Sequence, residues 1–155
     1  MIFCTAGTQA PFDRFLQMVD NIASSLSEEV VVQVFSGEYV PKHVRRVDFL
    51  APDEFDKLFN QARLIVAHAG MGTIVNAMSI GKPIVVVPRI AALGEHRNEH
   101  QLATVRRMEA LKYVYAAHDE QQLRHWMTVT DLPVLHHVGA FAQQSLIDEI
   151  RRVIG

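Results

Sequence analysis

Residues 64–75, Leu64-Ile65-Val66-Ala67-His68-Ala69-Gly70-Met71-Gly72-Thr73-Ile74-Val75, decide the fold. Four apolar residues make a short strand, a glycine-bearing turn follows, and Ile74, Val75, Ala77, Met78 and Ile80 then recur at helical spacing. Gly81 stands where a left-handed residue ends such a helix, and Lys82-Pro83 leads into the apolar strand Ile84-Val85-Val86-Val87. A strand, a helix and a second all-apolar strand within so short a span predict a right-handed crossover between parallel strands buried on both faces.

The same alternation extends in both directions. Towards the start, the spacing predicts a strand over 1–5, a helix over 11–26, a strand over 30–35, a strand over 47–50 and a helix over 52–62. Towards the end it predicts a helix over 96–108, a last strand over 112–115 and helices over 119–127 and 137–154. The fold class expected is α/β: a Rossmann-like, mostly parallel sheet with helices on both faces. No repeat or linker interrupts the pattern, so residues 1–155 are expected to form a single domain.

Composition narrows the function. At 155 residues and 49% hydrophobic content the chain can bury a sizeable core without disulfides, and Cys4, its one cysteine, reads as a buried reduced thiol. A formal net charge of -2 offers no basic field for nucleic acid, which is not expected as a partner. The opening residues read as a strand rather than a signal peptide, and no apolar run reaches the length needed to span a bilayer. The expected location is cytoplasmic, with membrane contact peripheral only.

In open parallel sheets ligands bind beyond the carboxyl ends of the strands. Three loops there carry unusual residues: Ala6-Gly7-Thr8, the run from His68 to Thr73, and the run from Pro88 to Gln101. In the second, the unpaired N–H groups and positive dipole of a helix start suit an anion such as a diphosphate, with Thr73 adding a hydroxyl. The alternative is that Gly70 and Gly72 simply permit a tight turn. The pattern is a poor dinucleotide fingerprint, because Val75 replaces the third glycine and this is not the first crossover of the chain. His68, at the strand end, reads either as a hydrogen-bonded structural histidine or as a catalyst.

The third loop, with Arg89, Glu95, His96, Arg97, Asn98, His100 and Gln101, supplies cations, a carboxylate and amides suited to phosphates and hydroxyls, or else a solvated helix start. His96, Glu99 and His100 also match the H-x-x-E-H pattern of zinc peptidases, a short pattern that needs a third ligand. No serine-hydrolase elbow, P-loop or Asp-x-Asp pair occurs. A sugar diphosphate would be neutralised here by a helix start and arginine rather than by a bound metal.

Taken together, residues 64–75, then Gly81-Lys82-Pro83 through Arg89, then Gly94 through Ala103, resemble the C-terminal domain of family 28 glycosyltransferases. Within it the chain is similar to short bacterial exopolysaccharide subunits related to the small subunit of the eukaryotic dolichol-linked N-acetylglucosaminyltransferase. The resemblance covers nearly the whole chain and implies the C-terminal half of a GT-B fold that binds a UDP-sugar as substrate, with no cofactor and no metal. It also implies a separate membrane-anchored, acceptor-binding subunit, which would hold this chain at the inner face of the membrane.

By position, Gly7, Thr8, Gly70, Gly72 and Thr73 would face the diphosphate, while Glu95, His100 and Gln101 would address the donor sugar; His68, Met71, Arg89, His96 and Asn98 complete the residues expected to bind substrate. Many relatives have a glutamate for the ribose where this chain has Asn76, which can hydrogen-bond a hydroxyl but lacks the charge. The implied reaction is displacement with inversion at the anomeric carbon. Its base is expected on the partner, with His68 and His100 the candidates in this chain. A nucleotide-sugar-binding regulatory module and a zinc hydrolase are the alternatives.

Overall fold

The computed structural model describes residues 1–7, 10–95, 100–135 and 143–154. Its strands are β1 (Ile2–Thr5), β2 (Val30–Gln33), β3 (Arg45–Val47), β4 (Leu64–His68), β5 (Ile84–Val87) and β6 (Tyr115–Ala116). Its helices are α1 (Asp13–Ala23), α2 (Pro52–Gln61), α3 (Met71–Ile80), α4 (His100–Ala110), α5 (Glu120–Thr128) and α6 (Gln143–Ile154), with a 3-10 turn at Ala91–Leu93. The strands form one sheet in the order β3-β2-β1-β4-β5-β6, and every pairing is parallel.

The central strands are apolar at nearly every position because both faces are covered. Successive residues of β1 alternate sides: Ile2 and Cys4 join a core with α1 and α5, whereas Phe3 faces α2, α3 and α4. On the first side Phe15, Leu16, Val19 and Ile22 of α1 meet Leu123 and Met127 of α5. On the second, Phe59, Ile74, Met78 and Met108 cover Phe3, Ile65 and Val86. Burying a side chain of this size contributes about 1.5–3 kcal/mol, which is why these positions accept little else.

Gly81 takes φ +70° and ends α3, as its spacing predicts. Edge strands depart from the expectations. The strand expected over 47–50 runs over Arg45–Val47, its register fixed by Val31 against Arg45. An edge strand has one neighbour and open flanks, so its sequence carries little apolar signal, and Phe49 and Leu50 line a cleft instead. The strand expected over 112–115 begins only at Tyr115, because the end of α4 occupies the residues before it. Lys112 N–H and Tyr113 N–H donate to the carbonyls of Glu109 and Met108, and Lys112 has φ +60°. The strand expected over 30–35 ends at Gln33.

The start expected for α4, at 96, and that of the last helix, at 137, lie outside the described residues. Helix α6 rests on α3 and α4, with Ile147 against the second core and Tyr113 Oη donating to Glu149 at 2.6 Å. It therefore packs on its own domain. Among the described residues no helix is long and apolar enough to cross a membrane.

Candidate functional site

Strand order reverses direction about β1: the chain steps outward to β2 and β3, then returns to place β4 on the other side. The connections leaving β1 and β4 diverge there, opening a crevice at the carboxyl ends, and a cleft of about 790 Å³ occupies this position. Its floor is made by the last residues of the strands. Thr5, Gln33 and His68 each end an otherwise apolar strand, and Thr5 Oγ1 donates to Gln33 Oε1 at 3.1 Å. A polar residue closing an apolar strand is a signal in the sequence that would have pointed to Thr5 and Gln33, neither of which was expected.

The amino end of α3 forms one wall. Gly70, the N-cap, provides no side chain to cap the helix, and no acidic residue sits in the first turn. Ile74 N–H is the first to bond within the turn, to Gly70 O at 3.2 Å, and Gly70 N–H turns back to His68 O at 2.8 Å. The N–H groups of Met71, Gly72 and Thr73 thus meet no acceptor among the described residues. A Cβ added at Gly72 would meet nothing within 4 Å among the described residues, none of which fills the space beside it.

Gly7 and Gly70 make room for a different neighbour. A Cβ at Gly7 would lie 2.6 Å from His68 Nε2, and one at Gly70 would lie 2.6 Å from His68 Cε1. The imidazole is therefore a wedge between the loops that leave β1 and β4. Its Nδ1 is buried and has no hydrogen-bond partner among the described residues. Burial, reinforced by the positive charge of Arg89, lowers the His68 pKa to about 4, so the ring is neutral at physiological pH. A conjugate acid that strong makes His68 a poor proton acceptor at neutral pH, and its position suits shaping the cleft better than acting as base. His100 is exposed and is not itself a lining residue of the cleft, although its neighbour Gln101 is.

The third loop is organised from within. Arg89 is 4% exposed, and its guanidinium donates to the carbonyls of Ala6 (2.6 Å), Ala10 (2.9 Å) and Pro11 (2.9 Å) while lying over the Phe12 ring. The Glu95 carboxylate accepts from Arg14 at 2.9–3.3 Å and from Ile90 N–H at 2.9 Å. Gln101 Oε1 accepts from Arg89 N–H at 2.7 Å. All three line the cleft, yet the contacts seen join its walls together. The amide nitrogen of Gln101 meets no acceptor among the described residues.

Of the expected site residues, Gly7, His68, Gly70, Gly72, Thr73, Arg89, Glu95 and Gln101 meet around this cleft. Met71 packs its side chain on the core and Asn76, half-buried, is not in the wall. Thr8, His96 and Asn98 lie outside the described residues, as does most of the H-x-x-E-H pattern. The far end of the cleft is apolar: Phe49, 76% exposed, and Leu50 and Phe55 face it, and none of these was expected. Arg45 and Arg46, on the edge strand β3, pair with Glu29 and Asp48.

The family model described as the glycosyltransferase family 28 C-terminal domain matches residues 1–130. A UDP-N-acetylglucosamine transferase subunit, ALG13, of Mus musculus is 30% identical over 63% of this chain, and the match spans 9% of that protein. Among solved structures, the solution structure of ALG13 superposes with a TM-score of 0.62 at 15% identity, covering 97% of this chain and 96% of that one. The Streptomyces glycosyltransferase SsfS6, complexed with thymidine diphosphate, gives a TM-score of 0.55 at 22% identity, over 99% of this chain and 35% of that one. At these identities the two structures speak for the fold.

Proposed function

Because the chain belongs to the glycosyltransferase family 28 C-terminal domains, we propose that its cleft binds the donor of a sugar transfer, a UDP-sugar, as one half of an inverting GT-B enzyme. The observation that carries this reading is the set of unpartnered N–H groups at Met71, Gly72 and Thr73, on a helix start left uncapped beside an open space. Such groups are a ready site for a diphosphate, and charge-assisted hydrogen bonds of this kind contribute about 1.5–3 kcal/mol each.

The nucleobase would lie at the apolar end, where exposed Phe49 offers a face for stacking. The sugar would extend towards Gln101. Glu95, the one carboxylate among the described lining residues, is held by Arg14 and Ile90 N–H, so the phosphates rely on N–H groups and need no metal. As the anomeric bond breaks, negative charge grows on the departing UDP. Donors fixed in advance then bind it more strongly than they bind the substrate, and this lowers the barrier.

The acceptor in this proposal is a lipid-diphosphate-linked sugar in exopolysaccharide or glycan assembly, held by a membrane-anchored partner subunit that also contributes the base. The weak basicity of His68 supports locating the base elsewhere. The test is calorimetric titration with UDP and a panel of UDP-sugars in EDTA, followed by co-expression with the partner and a transfer assay. Metal-independent binding and transfer only by the pair are expected. Binding without transfer in the complete pair would favour a regulatory module, and no binding to either form would refute the proposal.

A further inference from the structure

Arg89 is the one arginine or lysine among the described residues that line the cleft, and both its terminal nitrogens are engaged by the protein. They reach the carbonyls of Ala6, Ala10 and Pro11 and, at 3.5 Å, that of Glu95, and the guanidinium covers Phe12 at 4.6 Å. The first three carbonyls belong to the connection between β1 and α1. In a trans peptide the N–H points opposite to the carbonyl it shares a plane with, and no peptide among the described residues is cis. Drawing Ala6 C=O onto Arg89 therefore turns the Gly7 N–H the other way. Gly7 lines the cleft with φ +80°, and its N–H meets no acceptor among the described residues.

We infer that Arg89 is a positioning residue which, from behind the cleft wall, gathers the carbonyls leaving β1 and so presents the Gly7 N–H as an anion donor facing those of α3. The inference rests on the donor-site reading above and adds to it a second amide source and the group that sets its direction. Lysine cannot take this place, since a single ammonium lacks the planar fork that reaches three carbonyls and the flat face that stacks on Phe12. The same buried charge helps to keep His68 neutral, which removes a competing cation from between the two loops.

Two experiments test it. In the wild-type protein, nitrogen-15 NMR is followed during titration with inorganic pyrophosphate and with UDP: the Gly7 amide resonance should move strongly and the Arg89 Nε resonance little. In Arg89→Lys, UDP affinity should fall at least tenfold while uridine affinity stays within twofold, a split that general loosening of the fold would not produce. If Arg89 Nε moves more than Gly7, or if Arg89→Lys binds UDP as well as wild type, Arg89 contacts the ligand directly or is irrelevant, and the inference is overturned alone. A wild type that binds neither ligand sinks the donor-site reading, and the role of the Gly7 N–H with it. Should Arg89→Lys fail to fold, the wild-type titration still decides.

Discussion

Replacing Gly70 with alanine probes the wedge directly. Gly70 has φ -83° and ψ 129°, which any residue adopts, so backbone strain is not the issue. The new Cβ would stand 2.6 Å from His68 Cε1 and 2.7 Å from Nε2, roughly 1 Å inside the ordinary contact distance of about 3.5–4.0 Å. The ring cannot retreat towards Gly7, whose own Cβ position lies 2.6 Å from Nε2. Overpacking of this kind costs about 1–3 kcal/mol. A helix N-cap change from glycine to alanine adds up to about 1 kcal/mol whatever the neighbour. In a His68→Ala background the first cost disappears and the second remains. Urea unfolding of wild type, both single variants and the double variant should therefore give a coupling of at least about 1 kcal/mol, well above the roughly 0.3–0.5 kcal/mol scatter of independent sites. A Gly70→Ala penalty equal in the two backgrounds would refute the wedge.

Three further outcomes follow from the same geometry. Because the folded protein holds the His68 pKa near 4 against 6.5 unfolded, the unfolded chain binds the extra proton first as pH falls. Stability is complete above pH 6.5 and declines by about 3 kcal/mol towards pH 4, a decline absent from His68→Asn; equal slopes in both proteins over that window would contradict the assignment. Cys4 is fully buried, which pushes its thiol far above the ordinary range, so a thiol reagent should label it only as fast as the protein unfolds; rapid native labelling would contradict the packing of β1. Glu95→Gln weakens the pair with Arg14 that ties α1 to the loop after β5, and should cost about 1–3 kcal/mol in thermal unfolding; a loss under about 0.5 kcal/mol would show that the two walls hold without it.

The central sheet was legible because burial on both faces leaves its strands apolar throughout, as in Ile84–Val87, whose bounds match the expectation. Helix α3 was legible because Gly81 at its end needs a left-handed backbone. The edge strands were not, since β3 contains Arg45 and Arg46 and owes its place to register with β2. At the site, sequence pointed to the right loops but not to what each side chain does. Arg89 and Glu95 read as ligand groups, whereas Arg89 finds its partners 78 to 83 positions away and Glu95 meets Arg14 81 positions away. Spacing along a chain cannot disclose such partners. Gly7, Gly70 and Gly72 were all expected to face the diphosphate; the space a Cβ would take at Gly7 and Gly70 is occupied by His68, and of the three Gly72 alone meets nothing there among the described residues.

Gly72→Asp tests the diphosphate site most directly, because fold and function should respond with opposite sign. Gly72 is exposed in the first turn of α3, and a Cβ there would meet nothing among the described residues, so aspartate should leave stability unchanged or raise it, the helix dipole favouring the charge by about 0.3–1 kcal/mol. The same charge occupies the place assigned to the phosphates. Paired measurements of unfolding free energy and of UDP binding by calorimetry in EDTA should show a protein at least as stable as wild type that no longer binds UDP. A variant that binds UDP as wild type does would contradict the placement of the diphosphate at the amino end of α3.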